Sequence, residues 1–316
     1  MTYILLIIGF VLLIKGADIF VDGASNIARR IGIPSIIVGL TIVSLGTSAP
    51  ELAVSVISAL NGTSDIAIGN VLGSNFFNSL MVLGGTALVV PLIFKKSTIK
   101  RDYFVDLFVT ILVFILAFGF KLKDNYLSRI DGIILVILCI SYITYLVYVV
   151  KKKNNLSEEP DKNVKILRNI ILCIIGVVGI VIGGDVVVDS AKKIAFSFGM
   201  SEKLVGLTIV AMGTSLPELV TSIVAALKGE KEIALGNVLG SNIFNLLLIL
   251  GVSSSIAPFA VDPSLYIDFI ILIVITILIG IIIFLNKKDE KKFGRLEGLI
   301  LVGGYIAYLV YIIMRN

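Results

Sequence analysis

Ten apolar stretches, each long enough to cross a bilayer, recur along a chain of 316 residues and leave no room for a soluble domain between them. A spanning helix needs about 20 mostly apolar residues. The stretches run roughly 3–28, 34–60, 66–93, 102–120, 129–150, 166–195, 202–227, 233–257, 265–286 and 295–313. With 57% hydrophobic residues and a mean hydropathy of +1.05, a chain of this length cannot hide its apolar surface in water. The predicted fold class is an all-α membrane protein. The first stretch lacks a basic leading region and contains Asp18 and Asp22, so it reads as a retained helix rather than a cleaved signal.

The stretches fall into two halves that repeat. Asp18 and Asp22 return as Asp185 and Asp189. Val38 to Val43 returns as Val205 to Val210, Gly46 to Glu51 as Gly213 to Glu218, and Gly69 to Asn75 unchanged as Gly236 to Asn242, all at an offset of 167. Arg129–Gly132 answers Arg295–Gly298 one residue out of step. The expected organisation is a first five-helix repeat over 1–150, a linker over 151–165, and a second repeat over 166–316. Five is odd, so the second repeat enters the membrane from the opposite side. This inverted topology is the architecture of alternating access in secondary transporters.

Basic residues sit at the ends of the apolar runs rather than on one polar face, so the net charge of +5 marks loops and not nucleic-acid binding. Nineteen Lys and Arg lie on the side that carries 95–101, 151–168 and 287–295, against seven on the other. That bias predicts a multi-pass protein of the cell membrane with both termini outside and the linker inside. With no histidine and two cysteines isolated in apolar runs, a histidine metal site, a disulfide framework and a thiolate cluster are not indicated.

Glu51 and Glu218 lie mid-span in otherwise apolar stretches, with no Lys or Arg in the same or the following span away from its ends. An intramembrane carboxylate costs several kcal/mol and marks function by default. Thr47, Ser48, Ser44 and Ser55 share a helical face with Glu51, and Thr214, Ser215, Ala211 and Ser222 stand at the same offsets from Glu218. Asn70, Ser74 and Asn78 step by four along the third span, as Asn237, Ser241 and Asn245 do along the eighth. Such small and polar residues also serve plain helix packing. Beside a buried glutamate, their carboxylate, hydroxyl and amide oxygens suit hard cations. Pro50 and Pro217 deprive the Gly46 and Gly213 carbonyls of their helical donors, which breaks the helix and exposes backbone oxygens beside the acids.

Gly46-Thr47-Ser48-Ala49-Pro50-Glu51 and Gly213-Thr214-Ser215-Leu216-Pro217-Glu218, each followed by Gly-Asn-Val-Leu-Gly-Ser-Asn, resemble the sodium/calcium exchanger family in its compact prokaryotic form. The resemblance implies a non-enzymatic antiporter of Na⁺ and Ca²⁺ in a lipid bilayer, with no cofactor and no obligate protein partner. It implies a central Ca²⁺ held by Glu51, Glu218 and the Thr47 and Thr214 carbonyls, with Asn78 and Asn245 completing the middle. Ser48, Ser74 and the Ser44 carbonyl would line an inner Na⁺ site. Ser215, Ser241 and the Ala211 carbonyl would line an outer one. The first and sixth helices, with Gly16, Gly183 and Gly184, would slide as gates. Exchangers of this family often carry Asp at one of the two middle positions, and here both are Asn. The alternatives are a Ca²⁺/H⁺ or K⁺-assisted exchanger, a cation channel and an intramembrane hydrolase.

Overall fold

The protein was analysed as a computed structural model that describes residues 1–62, 64–119, 125–153, 164–200, 211–284 and 290–315. The first half comprises α1 (Thr2–Ile31), a broken span made of α2 (Ser35–Thr47) and α3 (Ala49–Leu60), then α4 (Ile66–Val89), α5 (Lys96–Phe118) and α6 (Arg129–Lys153). The second comprises α7 (Ile166–Ser197), α8 (Leu216–Leu227) with a single turn Ala211–Gly213 before it, α9 (Lys231–Ile256), α10 (Leu265–Phe284) and α11 (Arg295–Arg315). The architecture is that of a helical membrane protein. Among the described residues, seven helices are long and apolar enough to cross a bilayer, or eight if the bent pair α2–α3 is one span. The remaining two expected spans are occupied by α5, which carries charged residues, and by α8, whose preceding residues 201–210 lie outside the description. Val205–Val210, Lys203 and most of the expected linker fall in those undescribed stretches.

Helix ends repeat as the sequence does. Gly32 closes α1 in the left-handed conformation (φ 73°), its N–H reaching the Ala28 carbonyl at 2.9 Å, and Pro34 blocks continuation. Among the described residues the other positive-φ glycines are Gly62, Gly199 and Gly229, and these four form two pairs, 32/199 and 62/229, at the sequence offset of 167.

Burial separates a core from a lipid-facing rim. In the most apolar window of each helix, 89% of α9 and 72% of α4 is buried, against 17% of α11 and 28% of α6. The rim helices turn Ile, Leu and Val outward, as helices solvated by lipid do. At the centre, α9 lies against α2 at backbone distance. A Cβ on Gly236 would meet the Ile36 carbonyl oxygen at 2.5 Å, and one on Gly240 the Ser44 hydroxyl at 2.6 Å. The Gly236–Asn242 string therefore serves packing as well as polarity.

The long helices α1 and α7 pack along their length through a seam of glycines. A Cβ at Gly16 would fall 2.6 Å from the Ile180 nitrogen, and one at Gly183 2.5 Å from the Leu13 nitrogen. Gly9 and Gly23 extend the seam at seven-residue steps. Gly184 is more open, with its nearest neighbour the Pro217 ring at 3.8 Å.

Outside the helices, the loops of this all-helical chain form two small antiparallel ribbons. β1 (Leu92–Lys95) pairs with β4 (Glu290–Phe293), and β2 (Tyr126–Leu127) with β3 (Phe259–Ala260). Each joins a loop of one half to a loop of the other, giving backbone groups that leave a helix a partner at once.

Candidate cation site

The second span bends by 49° between α2 and α3. Ser48 sits at the break with non-helical angles, and Pro50 and Glu51 follow in the first turn of α3. α8 opens in the same way on Ser215, Pro217 and Glu218. Proline is at home in a first helical turn, and a carboxylate there meets the positive end of the helix dipole. Pro50 has no N–H for Gly46, so the Gly46 carbonyl loses its usual helical donor at the break. The same proline recurs at Pro217, beside Gly213. The Ser44 carbonyl, in contrast, already accepts from the Ser48 N–H (2.9 Å) and the Thr47 hydroxyl (3.3 Å).

Glu51 and Glu218 are 1% and 0% exposed, which makes their few contacts decisive. The Ser48 hydroxyl donates to Glu218 Oε1 at 2.8 Å and lies 3.1 Å from the Ser241 hydroxyl. In mirror fashion, the Ser215 hydroxyl donates to Glu51 Oε1 at 3.0 Å and lies 3.0 Å from that of Ser74. Thr47 reaches Asn237 Oδ1 (3.1 Å), and Thr214 reaches Asn70 Oδ1 (3.3 Å). Each asparagine then braces the acid-bearing helix of its own half. Asn70 Nδ2 donates to Ser55 (3.0 Å) and the Glu51 carbonyl (3.3 Å), and Asn237 Nδ2 to Ser222 (3.0 Å) and the Glu218 carbonyl (3.3 Å).

The sequence-predicted side chains thus converge, but across the halves. Helical offsets place Ser48 beside Glu51, whereas the fold hands it to Glu218. Asn78 and Asn245 lie at π-helical turns, Phe77–Val82 of α4 and Asn245–Ile249 of α9, a geometry frequent at functional sites. Ala211 opens the single turn before the second break.

Glu51 Oε2, Glu218 Oε2, Asn78 Oδ1 and Asn245 Oδ1, one from each of α3, α8, α4 and α9, are buried without a hydrogen-bond donor, and Asn78 Nδ2 is buried without an acceptor. Buried polar atoms are nearly always paired, so four unpaired acceptors around two carboxylates describe a receptor for positive charge. Among the described residues, no cluster of three or more His, Cys, Asp or Glu side chains occurs. Two carboxylates with neutral oxygens suit a hard cation that must be released again, rather than one held permanently.

Sequence reasoning missed one acid. Asp106 lies midway along α5, 4% exposed, with Oδ1 unpaired. The rule that singled out Glu51 would have found it, but Asp106 has no counterpart in the second half, where position 273 is Ile. The other buried acids of the rim have cations. Asp102 is gripped by Arg101 at 2.7 and 2.8 Å and by the Tyr142 hydroxyl at 3.0 Å, and Asp268 by Arg315 at 3.0 and 2.9 Å.

Broken helices, a duplicated oxygen-lined core and glycine-seamed outer helices define a membrane ion antiporter. Comparison with known proteins makes this specific. The family model described as sodium/calcium exchanger protein matches residues 1–151 and 168–314, and the chain belongs to that family. It is 38% identical to CaxA of Alkalimonas amylolytica over 96% of each chain. It is 34% identical to the sodium/calcium exchanger MaX1 of Methanosarcina acetivorans, over 98% of this chain and 97% of that one. A solved structure of the sodium-calcium exchanger NCX_Mj superposes with a TM-score of 0.83 at 32% identity, covering 98% of this chain and 97% of that one. The family is one of transporters, not enzymes, which removes the hydrolase reading.

Proposed function

We propose that the chain exchanges Na⁺ for Ca²⁺ by alternating access. The observation that carries this is the set of four unpaired oxygens, one from each of four helices, around two carboxylates. A charge of −2 is neutralised by one Ca²⁺ or by two Na⁺. Neutralised, the core can face an apolar gate; bare, it cannot, because an unpaired buried charge is strongly disfavoured. The empty crossing is thereby forbidden and the two fluxes are coupled. Ca²⁺ takes the centre, between Glu51, Glu218, Asn78, Asn245 and the Thr47 and Thr214 carbonyls. The hydroxyls of Ser48, Ser74, Ser215 and Ser241, with the Ala211 carbonyl and with the Ser44 carbonyl once it gives up the bond from the Thr47 hydroxyl, serve Na⁺ on either side of it. α1 and α7 act as the gates, sliding on their glycine seam. MaX1 and NCX_Mj both bear the name of such an exchanger.

In this reading the chain crosses ten times, in two inverted five-helix repeats, with both termini outside. Loops assigned to one side by that count are also neighbours in space. β1 meets β4, Arg29 meets Glu230 and Lys228 meets Asp18 on the inner side. β2 meets β3, and Arg129 meets the Ile256 carbonyl, on the outer. Single-cysteine labelling in a background without Cys139 and Cys173 tests the orientation. Residues near 153 and 164 reacting only from outside would overturn it.

The functional test is radiolabelled Ca²⁺ uptake into proteoliposomes. An outward Na⁺ gradient at fixed pH, with no K⁺ present, is expected to drive uptake. Uptake that follows a pH gradient or requires K⁺ would replace Na⁺ coupling with the H⁺ or K⁺-assisted form. Flux that persists without a counter-ion would return the channel reading.

A further inference from the structure

Asp106 and Asn242 line a cavity of about 20 Å³ together with Ser79, Thr276 and aliphatic side chains. That is room for about one water molecule. Both Asp106 Oδ1 and Asn242 Oδ1 are buried acceptors without a donor. The Asn242 amide gives one N–H to the Ser79 hydroxyl at 2.9 Å and keeps its second on the side of the Asp106 carboxylate. The Thr276 hydroxyl is committed to the Leu272 carbonyl at 2.9 Å. Two buried carbonyl-type oxygens at one small cavity, Asp106 Oδ1 and Asn242 Oδ1, are left without a donor.

We propose that Asp106 is a proton-binding site within the membrane, separate from the cation site and linked to it through asparagines. A proton on the carboxyl removes the buried charge and supplies the donor that the two acceptors lack, directly to Asn242 or through one water. A metal cation fits poorly, because a hard cation takes about six oxygens and the Thr276 and Tyr103 hydroxyls here already donate to backbone carbonyls. The link to the exchange site is continuous. The Asn242 carbonyl accepts from Asn75 Nδ2 (3.4 Å), and Asn75 Oδ1 accepts from Asn245 Nδ2 (3.0 Å). Asn245 then presents its unpaired oxygen to the cations.

The titratable neighbours do not replace the proton. Tyr103, on α5, lines the same cavity and donates its hydroxyl to the Thr276 carbonyl at 2.9 Å. Asp102, one turn earlier on α5, is held by Arg101 and by Tyr142 from α6. From α4, α9 and α10, the described residues lining the cavity are neutral. Asp268, two turns from Thr276 on α10, is already paired with Arg315.

The sign follows from the charge. The neutral acid is compatible with the packed core, and ionisation at alkaline pH places an unpaired charge there. Infrared difference spectroscopy of the Ca²⁺-loaded protein is expected to show a protonated carboxyl band at neutral pH that Asp106→Asn lacks and Asn242→Ala shifts. Only the transport arm rests on the exchange reading. There, Asp106→Asn keeps Na⁺-driven Ca²⁺ flux within about twofold of wild type at neutral pH, because the amide preserves shape and neutrality. It also removes the wild-type decline at alkaline pH. Three results would overturn the proposal. One is the absence of any carboxyl band assignable to Asp106, whether by its loss in Asp106→Asn or its shift in Asn242→Ala. Another is an Asp106→Asn protein of normal thermal stability whose flux has collapsed. The third is wild-type stabilisation by Na⁺ that Asp106→Asn loses, which would make this a metal site.

Discussion

The Ser48 hydroxyl, at the helix break of the first half, donates to Glu218 of the second at 2.8 Å, and Ser215 returns the contact to Glu51 at 3.0 Å. Each acid is thus positioned by the half to which it does not belong. A movement of one half against the other cannot leave either carboxylate's coordination unchanged.

This reciprocity makes the serines a sensitive test. Ser48→Ala strips Glu218 Oε1 of its donor, and Ser215→Ala does the same to Glu51. A hydrogen bond to a charged group contributes about 1.5–3 kcal/mol, which corresponds to about 10- to 100-fold in apparent cation affinity. The concentration dependence of Na⁺-driven Ca²⁺ flux measures it. The two substitutions are expected to have comparable effects, since their surroundings are duplicated. An unchanged half-saturating concentration in both would remove these hydroxyls from the site.

Glu51→Gln or Glu218→Gln should abolish Ca²⁺ exchange while the protein folds normally. Each removes one of two charges opposing the ion, and each leaves a side chain of the same shape on the same serine. Flux in proteoliposomes, beside thermal unfolding of the purified protein, separates the two effects. Near-normal Ca²⁺ flux in either variant would dissolve the site assignment.

The seam between α1 and α7 predicts a different failure. Gly16→Val puts a branched side chain where a Cβ already lies 2.6 Å from the Ile180 nitrogen. Overpacking of this kind costs about 1–3 kcal/mol, and the helices must separate to relieve it. Cation binding to the core should survive, measured by ligand-induced thermal stabilisation, while flux falls. Loss of both together would mean that the seam supports the core rather than the gate.

Lys228, at the end of α8, pairs with Asp18 at 2.7 Å and Asp22 at 2.6 Å on α1. Among the described residues, the equivalent acids of α7, Asp185 and Asp189, meet no such lysine from the core: position 61 is Asn, and Asp189 pairs with Lys192 of its own helix at 3.7 Å. The clamp is one-sided. Partly exposed pairs contribute about 0–1 kcal/mol each, so Asp18→Asn with Asp22→Asn should raise inner-side access to the core by up to about thirtyfold. Cysteine accessibility from the inner face reads this directly, and no change would make the clamp ornamental.

Much of the site was legible because acids are costly in a bilayer and this chain pays the cost twice. Glu51 and Glu218 stand out in apolar spans, and the repeat points to their neighbours. The pairing of Ser48 with Glu218 was not legible, since helical spacing relates only residues of one helix. Asp106 escaped because it is unduplicated and a search led by repetition passes over it. The glycines of 236–240 were readable as part of a string, but their contact with Ile36 and Ser44 depends on how two distant helices cross.

The two ribbons, β1 with β4 and β2 with β3, bind the halves backbone to backbone at separate places on the surface. Neither depends on the peptide chain between residues 153 and 164. Cut there and co-expressed, the two fragments should find each other and reconstitute a working exchanger. An ancestor made of two separately encoded subunits would have needed no other fastening.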